Sequence, residues 1–254
     1  MEKDFYLCLP SNSSLNNFPQ NNAGHFFTSL PRSINVEGEF EIGLSEIIFS
    51  NSYYNINDKE IGFKFSYKDY SSDYIYLEHG LYKTPIHFID CLNNLLRIHR
   101  EKDGKNVGVK FFFNQASKKV TLRILRTGLK FQMTQGLVDV IGLNEKEFEG
   151  PVKTGGLRAI DINRDFSLIY VYCDLIEHRL VGDTLAPLLR ILPTADQTSD
   201  VIHCIFQKPH YIPLAKRNFN FIEILLATDT GKKLQFQSDK TVVTLHLRPR
   251  RNYH

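Results

Sequence analysis

The feature that most restricts the fold is a two-residue hydrophobic rhythm that fills both ends of the chain. Between Glu39 and Phe49, the residues Phe40, Ile42, Leu44 and Ile48 fall on one side and Glu39, Glu41 and Ser45 on the other, with Glu46 interrupting the apolar row. Side chains alternate across a strand, so the pattern predicts a half-buried β-strand. The same spacing predicts strands at Val107 to Asn114, Val120 to Leu125, Phe166 to Leu175, His203 to Tyr211, Phe219 to Ala227 and Thr241 to Leu247. In the segment from Phe219 to Ala227, Ile222, Ile224 and Leu226 line one face while Phe221 and Leu225 keep the other apolar, as expected of a central strand covered on both sides. With 19 Phe and 12 Tyr against 2 Met and no Trp, the core is one of rings and β-branched residues, which suit a pleated surface.

Helical spacing is confined to the middle of the chain. From Thr84 to Arg100 the apolar residues Ile86, Phe88, Ile89, Leu92, Leu95 and Leu96 recur at steps of three and four, with Thr84 placed to cap and Pro85 to start the helix. A shorter helix is predicted from Thr134 to Ile141, stopping at Gly142. An α/β fold needs helices alternating with strands throughout, so the pattern instead predicts a mainly β protein: a barrel or sandwich interrupted by an α+β insertion domain. The expected division is 1–57 and 160–254 for the barrel and 58–159 for the insertion, with Gly155-Gly156 as its exit hinge. Residues 11–24, rich in Asn and Ser, read as an extended arm or long loop. Ahead of them the strand carrying Phe5, Leu7 and Leu9 is set apart from the body, and these three are the expected subunit-contact residues, pairing with a sheet edge of the same chain or of a neighbour.

The 31 Lys and Arg nearly cancel the 28 Asp and Glu, leaving +3, so a nucleic acid can be held only by a local patch. The one dense run is Arg248-Pro249-Arg250-Arg251, making Arg248, Arg250 and Arg251 candidate phosphate contacts, with a solubilising tail as the other reading. Cys8, Cys91, Cys173 and Cys204 show no C-x-x-C spacing and read as reduced thiols. Phosphate-loop, dinucleotide, H-E-x-x-H and nucleophile-elbow motifs are absent, and the nine histidines never form the H-x-H pair of a jelly-roll metal site. Glu145, Glu147 and Glu149 read as a solvated loop, and Asp161, Asp165, Asp174 and Asp183 as turn residues rather than a calcium site. No catalytic residue, metal or cofactor is therefore assigned. No apolar run reaches the ~18 residues of a membrane helix, and neither a bilayer span nor a signal peptide is expected.

Phe5-Tyr6-Leu7-Cys8-Leu9-Pro10-Ser11-Asn12-Ser13-Ser14, then Phe18-Pro19, Phe27-Thr28, Leu30-Pro31 and Gly38 to Ile47, resemble the N-terminal part of the penton, or minor capsid, proteins of Polinton (Maverick) elements and adintoviruses. Tyr170 to Ile176, the Val181-Gly182-Asp183 turn, Leu188 to Ile191, Tyr211 to Leu214, Ile222-Glu223-Ile224 and Leu245 to Arg248 are similar to that family's closing strands. Ser45 stands where the family usually has Ala. The resemblance implies a single jelly roll with an insertion, forming a homopentamer at the icosahedral vertices of a virion assembled inside the host cell, beside a double-jelly-roll major capsid protein. Two other readings compete with it. One is a lectin-like or receptor-binding β-sandwich module whose insertion presents Tyr67, Tyr70, Tyr74 and Tyr76, and the other is an enzyme on a jelly-roll scaffold.

Overall fold

The computed structural model describes residues 4–99, 107–163, 168–194, 200–229, 231–237 and 240–250. The chain opens with β1 (Phe5–Pro10), β2 (His25–Asn35) and β3 (Phe40–Ser50). Its middle holds β4 (Gly62–Tyr67), β5 (Tyr70–Ser71), β6 (Ile75–Tyr76), α1 (Pro85–Ile98), β7 (Val109–Asn114), β8 (Lys119–Ile124), β9 (Lys130–Met133), α2 (Gln135–Ile141), β10 (Glu147–Glu149) and β11 (Val152–Gly155). It closes with β12 (Leu168–Cys173), β13 (Arg179–Val181), β14 (Thr184–Ala186), β15 (Leu188–Pro193), β16 (Val201–Ile205), β17 (Ile212–Pro213), β18 (Asn218–Thr228) and β19 (Val242–Pro249). Phe166 lies outside the described residues.

These elements form two compact units, Met1–Tyr53 with Asp165–His254, and Tyr54–Arg164. The borders differ from 57/58 and 159/160 because Tyr53 meets Phe236 edge-on in the outer unit, whereas Ile56, Ile160 and Ile162 are buried in the core of the central one. In the outer unit one sheet runs β1-β19-β3-β16, with β17 added to β3, and the other runs β15-β12-β18-β2. Ranked one to eight in chain order, the strands of these two paths read 1-8-3-6 and 5-4-7-2. Two interleaved Greek keys of this kind make a jelly roll. Leu9, Ile42, Leu44 and Val243 from one sheet and Phe26, Ile169, Val171, Ile222 and Ile224 from the other share a single core.

Strand β18 has neighbours on both sides, β12 and β2, and Ile222, Ile224 and Leu226 are fully buried. Ile224→Ala is expected to cost about 2 to 5 kcal/mol, from lost transfer energy and the cavity left behind. Denaturant unfolding measures it, and a loss well under 1 kcal/mol would show that the site collapses around the gap. Cys173 is buried in the same core, where desolvation pushes its thiol up to about 12.

Two strand expectations change. In β3 the core face carries Phe40, Ile42 and Leu44 but then Ile47 and Phe49, so Ile48 is not on it. The pairing with β19 slips between Thr244 and Leu245, which face Glu46 and Leu44, and Ser45 is the extra residue. A β-bulge reverses the in-out parity beyond it. This also explains Glu46, which points outward to His203 at 2.6 Å. The strand predicted from His203 to Tyr211 ends at Ile205, and Pro209 then crosses over β3 at Gly43, where a Cβ would lie 2.8 Å from that of Pro209.

The Asn/Ser-rich stretch is not an extended arm. It is a run of turns laid against its own barrel. Asn21 Nδ2 donates to Phe27 O at 2.8 Å while Phe27 N donates to Asn21 Oδ1 at 2.9 Å, and Ser29 N donates to Ser14 Oγ at 2.9 Å. Phe27 and Ser29 are the outward-bonding residues of edge strand β2, so these side chains cover an edge that would otherwise accept another strand.

In the central unit the sheets run β10-β9-β4-β5, with β6 on β4, and β11-β8-β7. Helix α1 buries Phe88, Ile89, Leu92 and Leu96 and is capped by Thr84, whose Oγ1 accepts from His87 N. Asn93 on this helix bonds both backbone groups of Phe111, closing the edge of β7 as Asn21 closes that of β2. Helix α2 is capped by Thr134 and stops at Gly142, φ 72°. Gly155 and Gly156 do not form a hinge: Gly155 pairs with Thr121 in β11, and a Cβ at Gly156 would fall 2.8 Å from Ile141 O.

Candidate assembly surface

A jelly roll has two flanks, each formed by the last strand of both sheets. Here β1 and β2 end one flank and β15 and β16 the other. The first is partly sealed, since β2 is covered by Ser14 and Asn21. On the second, among the described residues, β16 pairs only with β3 and β15 only with β12. Val201 and Ile205 of β16 are 54% and 65% exposed, and Ile191 of β15 adds a third outward apolar group. An edge strand with an apolar outer face is a site for association.

Immediately before β15 in the chain comes a small hairpin, β13 to β14, joined by Gly182-Asp183. Gly182 has φ 62° and Asp183 is not in the left-handed region, which is the arrangement of a type II′ turn. Its strands pair Leu180 directly with Leu185, and both are exposed, at 77% and 66%. Arg190 on β15 lies with its guanidinium 4.2 Å from the centre of the Phe206 ring, and its buried Nη1 has no hydrogen-bond partner among the described residues. Burial holds this arginine below its ordinary range, and the charge of Arg179 lowers it further. The sequence marks the Val181-Gly182-Asp183 turn and the Leu188 to Ile191 stretch, but not the exposed leucine pair or the surroundings of Arg190. The signal for the two strands of the hairpin is the Leu-Val and Thr-Leu that flank Gly-Asp.

The sequence-predicted contact residues lie elsewhere. Leu9 is 1% exposed in the chain's own core, and Phe5 and Leu7 pack against it, because β1 pairs along its whole length with β19. The outward residues of this strand are Tyr6 and Cys8. Tyr6 stacks on His246 at 4.4 Å, and His246 Nδ1 meets the Tyr211 hydroxyl at 2.7 Å.

The basic run is also engaged. Arg248 Nε donates to Glu41 Oε1 at 2.6 Å with its guanidinium over Tyr211, and Arg250 lies 3.4 Å from Glu39. Arg251 lies outside the described residues. Of the aspartates, Asp174 accepts from Lys216 and from Glu223 N, Asp161 accepts from Asn163 N, and Asp165 lies outside the described residues. Among the described residues no group of three His, Cys, Asp or Glu is placed to hold a metal ion, and no helix is long and apolar enough to cross a membrane.

No family model matches the sequence, and no curated protein matches it. Solved structures do. The crystal structure of the selenomethionine-labelled mavirus penton protein superposes with a TM-score of 0.51 at 10% identity, covering 97% of this chain and 99% of that one. The chain has the fold of a penton protein. A chain in the 3.5 Å cryo-electron microscopy structure of the Sputnik virophage is matched with a TM-score of 0.46 at 11% identity, over 97% of this chain and 98% of that one. The likeness to the mavirus penton protein takes in nearly all of both chains, so it extends over the central α+β unit of this chain as well as its jelly roll.

Proposed function

We propose that this protein is a structural virion protein, a penton or minor capsid subunit of the Polinton and adintovirus kind, that closes a homopentameric ring at a capsid vertex beside a double-jelly-roll major capsid protein. The observation that carries this reading is the jelly-roll strand order with an α+β unit between its third and fourth strands, matched to a penton fold over 97% of the chain. Such a protein works by shape and contact, without a catalytic group or cofactor.

A cyclic ring repeats one heterologous contact, so two different surfaces of each copy must fit one another. The flank of β15 and β16 supplies one, with Val201, Ile205, Ile191 and the hairpin leucines offering apolar area and Arg190 a donor without a partner. The flank of β1 supplies the other, meeting its neighbour through Tyr6, Cys8 and its open backbone edge rather than through Phe5, Leu7 and Leu9. Genome contact through Arg248, Arg250 and Arg251 is weak in this reading, because two of the three already face carboxylates.

Sedimentation velocity and negative-stain imaging at high protein concentration test the ring. Five-fold particles with the mass of five 29.4 kDa chains are expected. A stable dimer or trimer overturns the pentamer.

A further inference from the structure

The central unit carries a polar concavity on the solvent face of one of its sheets. In the sheet β10-β9-β4-β5 the inner positions Phe63, Phe65, Phe131 and Met133 are buried, so the alternate residues share the solvent face. Register arranges them in two rows across the strands. Glu149, Lys130, Ser66 and Ser71 form one, and Glu147, Gln132 and Lys64 the other. They line a shallow depression of about 410 Å3, in which Gln132 Nε2 donates to Glu147 Oε1 at 2.6 Å. At one margin Tyr74 and Tyr76 stack with ring centres 5.8 Å apart and planes inclined by 24°, and the Lys64 ammonium sits 5.1 Å from the centre of the Tyr74 ring. Tyr76 lies over Gly62, where a Cβ would come within 2.6 Å of its ring.

The chemistry of this face selects among ligand classes. A nucleic acid needs an excess of cations, and here two ammonium groups are balanced by two carboxylates. A protein partner needs an apolar or aromatic anchor at the centre of its contact, whereas the side chains that cross this one are polar and its rings stand at the margin. A neutral polyhydroxylated molecule fits both facts. Each hydroxyl donates one hydrogen bond and accepts others, which matches alternating carboxylate, amide, ammonium and serine groups, and an exposed tyrosine pair offers a flat surface with a polar rim for a sugar ring. Hydrogen bonds to charged partners are the stronger ones, and four of the seven side chains in the two rows are charged.

We propose that the solvent face of this sheet binds a neutral glycan. The inference does not rest on the capsid reading, because the face lies within the central unit. The full-length protein applied to an array of neutral oligosaccharides, chains of hexose and N-acetylhexosamine without sialic acid or sulfate, is expected to be retained on a subset of them. Gln132→Ala and Tyr74→Ala are each expected to weaken that retention about ten-fold or more. Gln132 faces solvent and its removal leaves the fold intact, which an unchanged thermal melt verifies. Absence of retention on every neutral sugar overturns the proposal, as does binding of sulfated chains or immobilised peptides in their place, or sugar binding that Gln132→Ala leaves unchanged. A protein that binds glycans but never forms rings would instead sink the penton reading alone.

Discussion

Removal of residues 1–24 is expected to abolish cooperative folding of the jelly roll. Strand β1 is hydrogen-bonded along β19, and without it the edge of β19 and one side of the core are laid open. Leu9 is lost from full burial and Phe5 and Leu7 from partial burial, where each fully buried side chain of this kind contributes about 1.5 to 3 kcal/mol. The exchange between Ser11 and Thr241 disappears as well: Ser11 N donates to Thr241 O, and Thr241 N donates to Ser11 Oγ, in a buried setting. So does the cover that Ser14 and Asn21 place on β2. Together these losses approach the whole net stability of a domain, about 5 to 15 kcal/mol. Thermal unfolding followed by near-ultraviolet circular dichroism measures the outcome. A truncated protein that melts cooperatively within about 5 °C of the full chain would restore the segment to the role of an arm, available for exchange between subunits.

The double variant Val201→Glu with Ile205→Glu is expected to eliminate ring formation and leave the subunit folded. Both side chains face outward from an edge strand in the single chain, so Val201→Glu costs the fold little, within roughly 0.5 kcal/mol, and Ile205→Glu, set opposite Glu46 in the ladder, costs up to about 1 kcal/mol. In a closed contact the same two positions would hold unpaired carboxylates against apolar groups, at a cost of about 3 to 5 kcal/mol. Since about 1.4 kcal/mol is a factor of ten, each contact weakens by a hundred-fold or more. Sedimentation velocity gives the result, with thermal melting as the control on folding. Rings of normal stability from this variant would move the contact off the β16 flank.

What the sequence determined by itself was local or periodic. Thr84 and Pro85 start α1, Thr134 and Gly142 bound α2, and the alternation of Ile222, Ile224 and Leu226 marks a central strand; each signal is carried by residues within a turn or two of the place it specifies. The spread of strands at both ends and helices in the middle likewise gave a β-barrel with an insertion. Tertiary structure decided everything that depends on a distant partner. The bulge at Ser45 exists only against Thr244 and Leu245, so the period-2 reading of β3 fails halfway along for a reason held in another strand. Asn and Ser between residues 11 and 24 signal a loop equally well whether it projects or lies on a sheet edge, and only the positions of Phe27 and Ser29 settle that it covers β2. Arg248 and Arg250 read as a free basic run until Glu41 and Glu39, some two hundred residues earlier, come to face them across the sheet. An exposed leucine pair on a hairpin and a polar grid on a sheet face are likewise properties of register, and register is set by which strands meet.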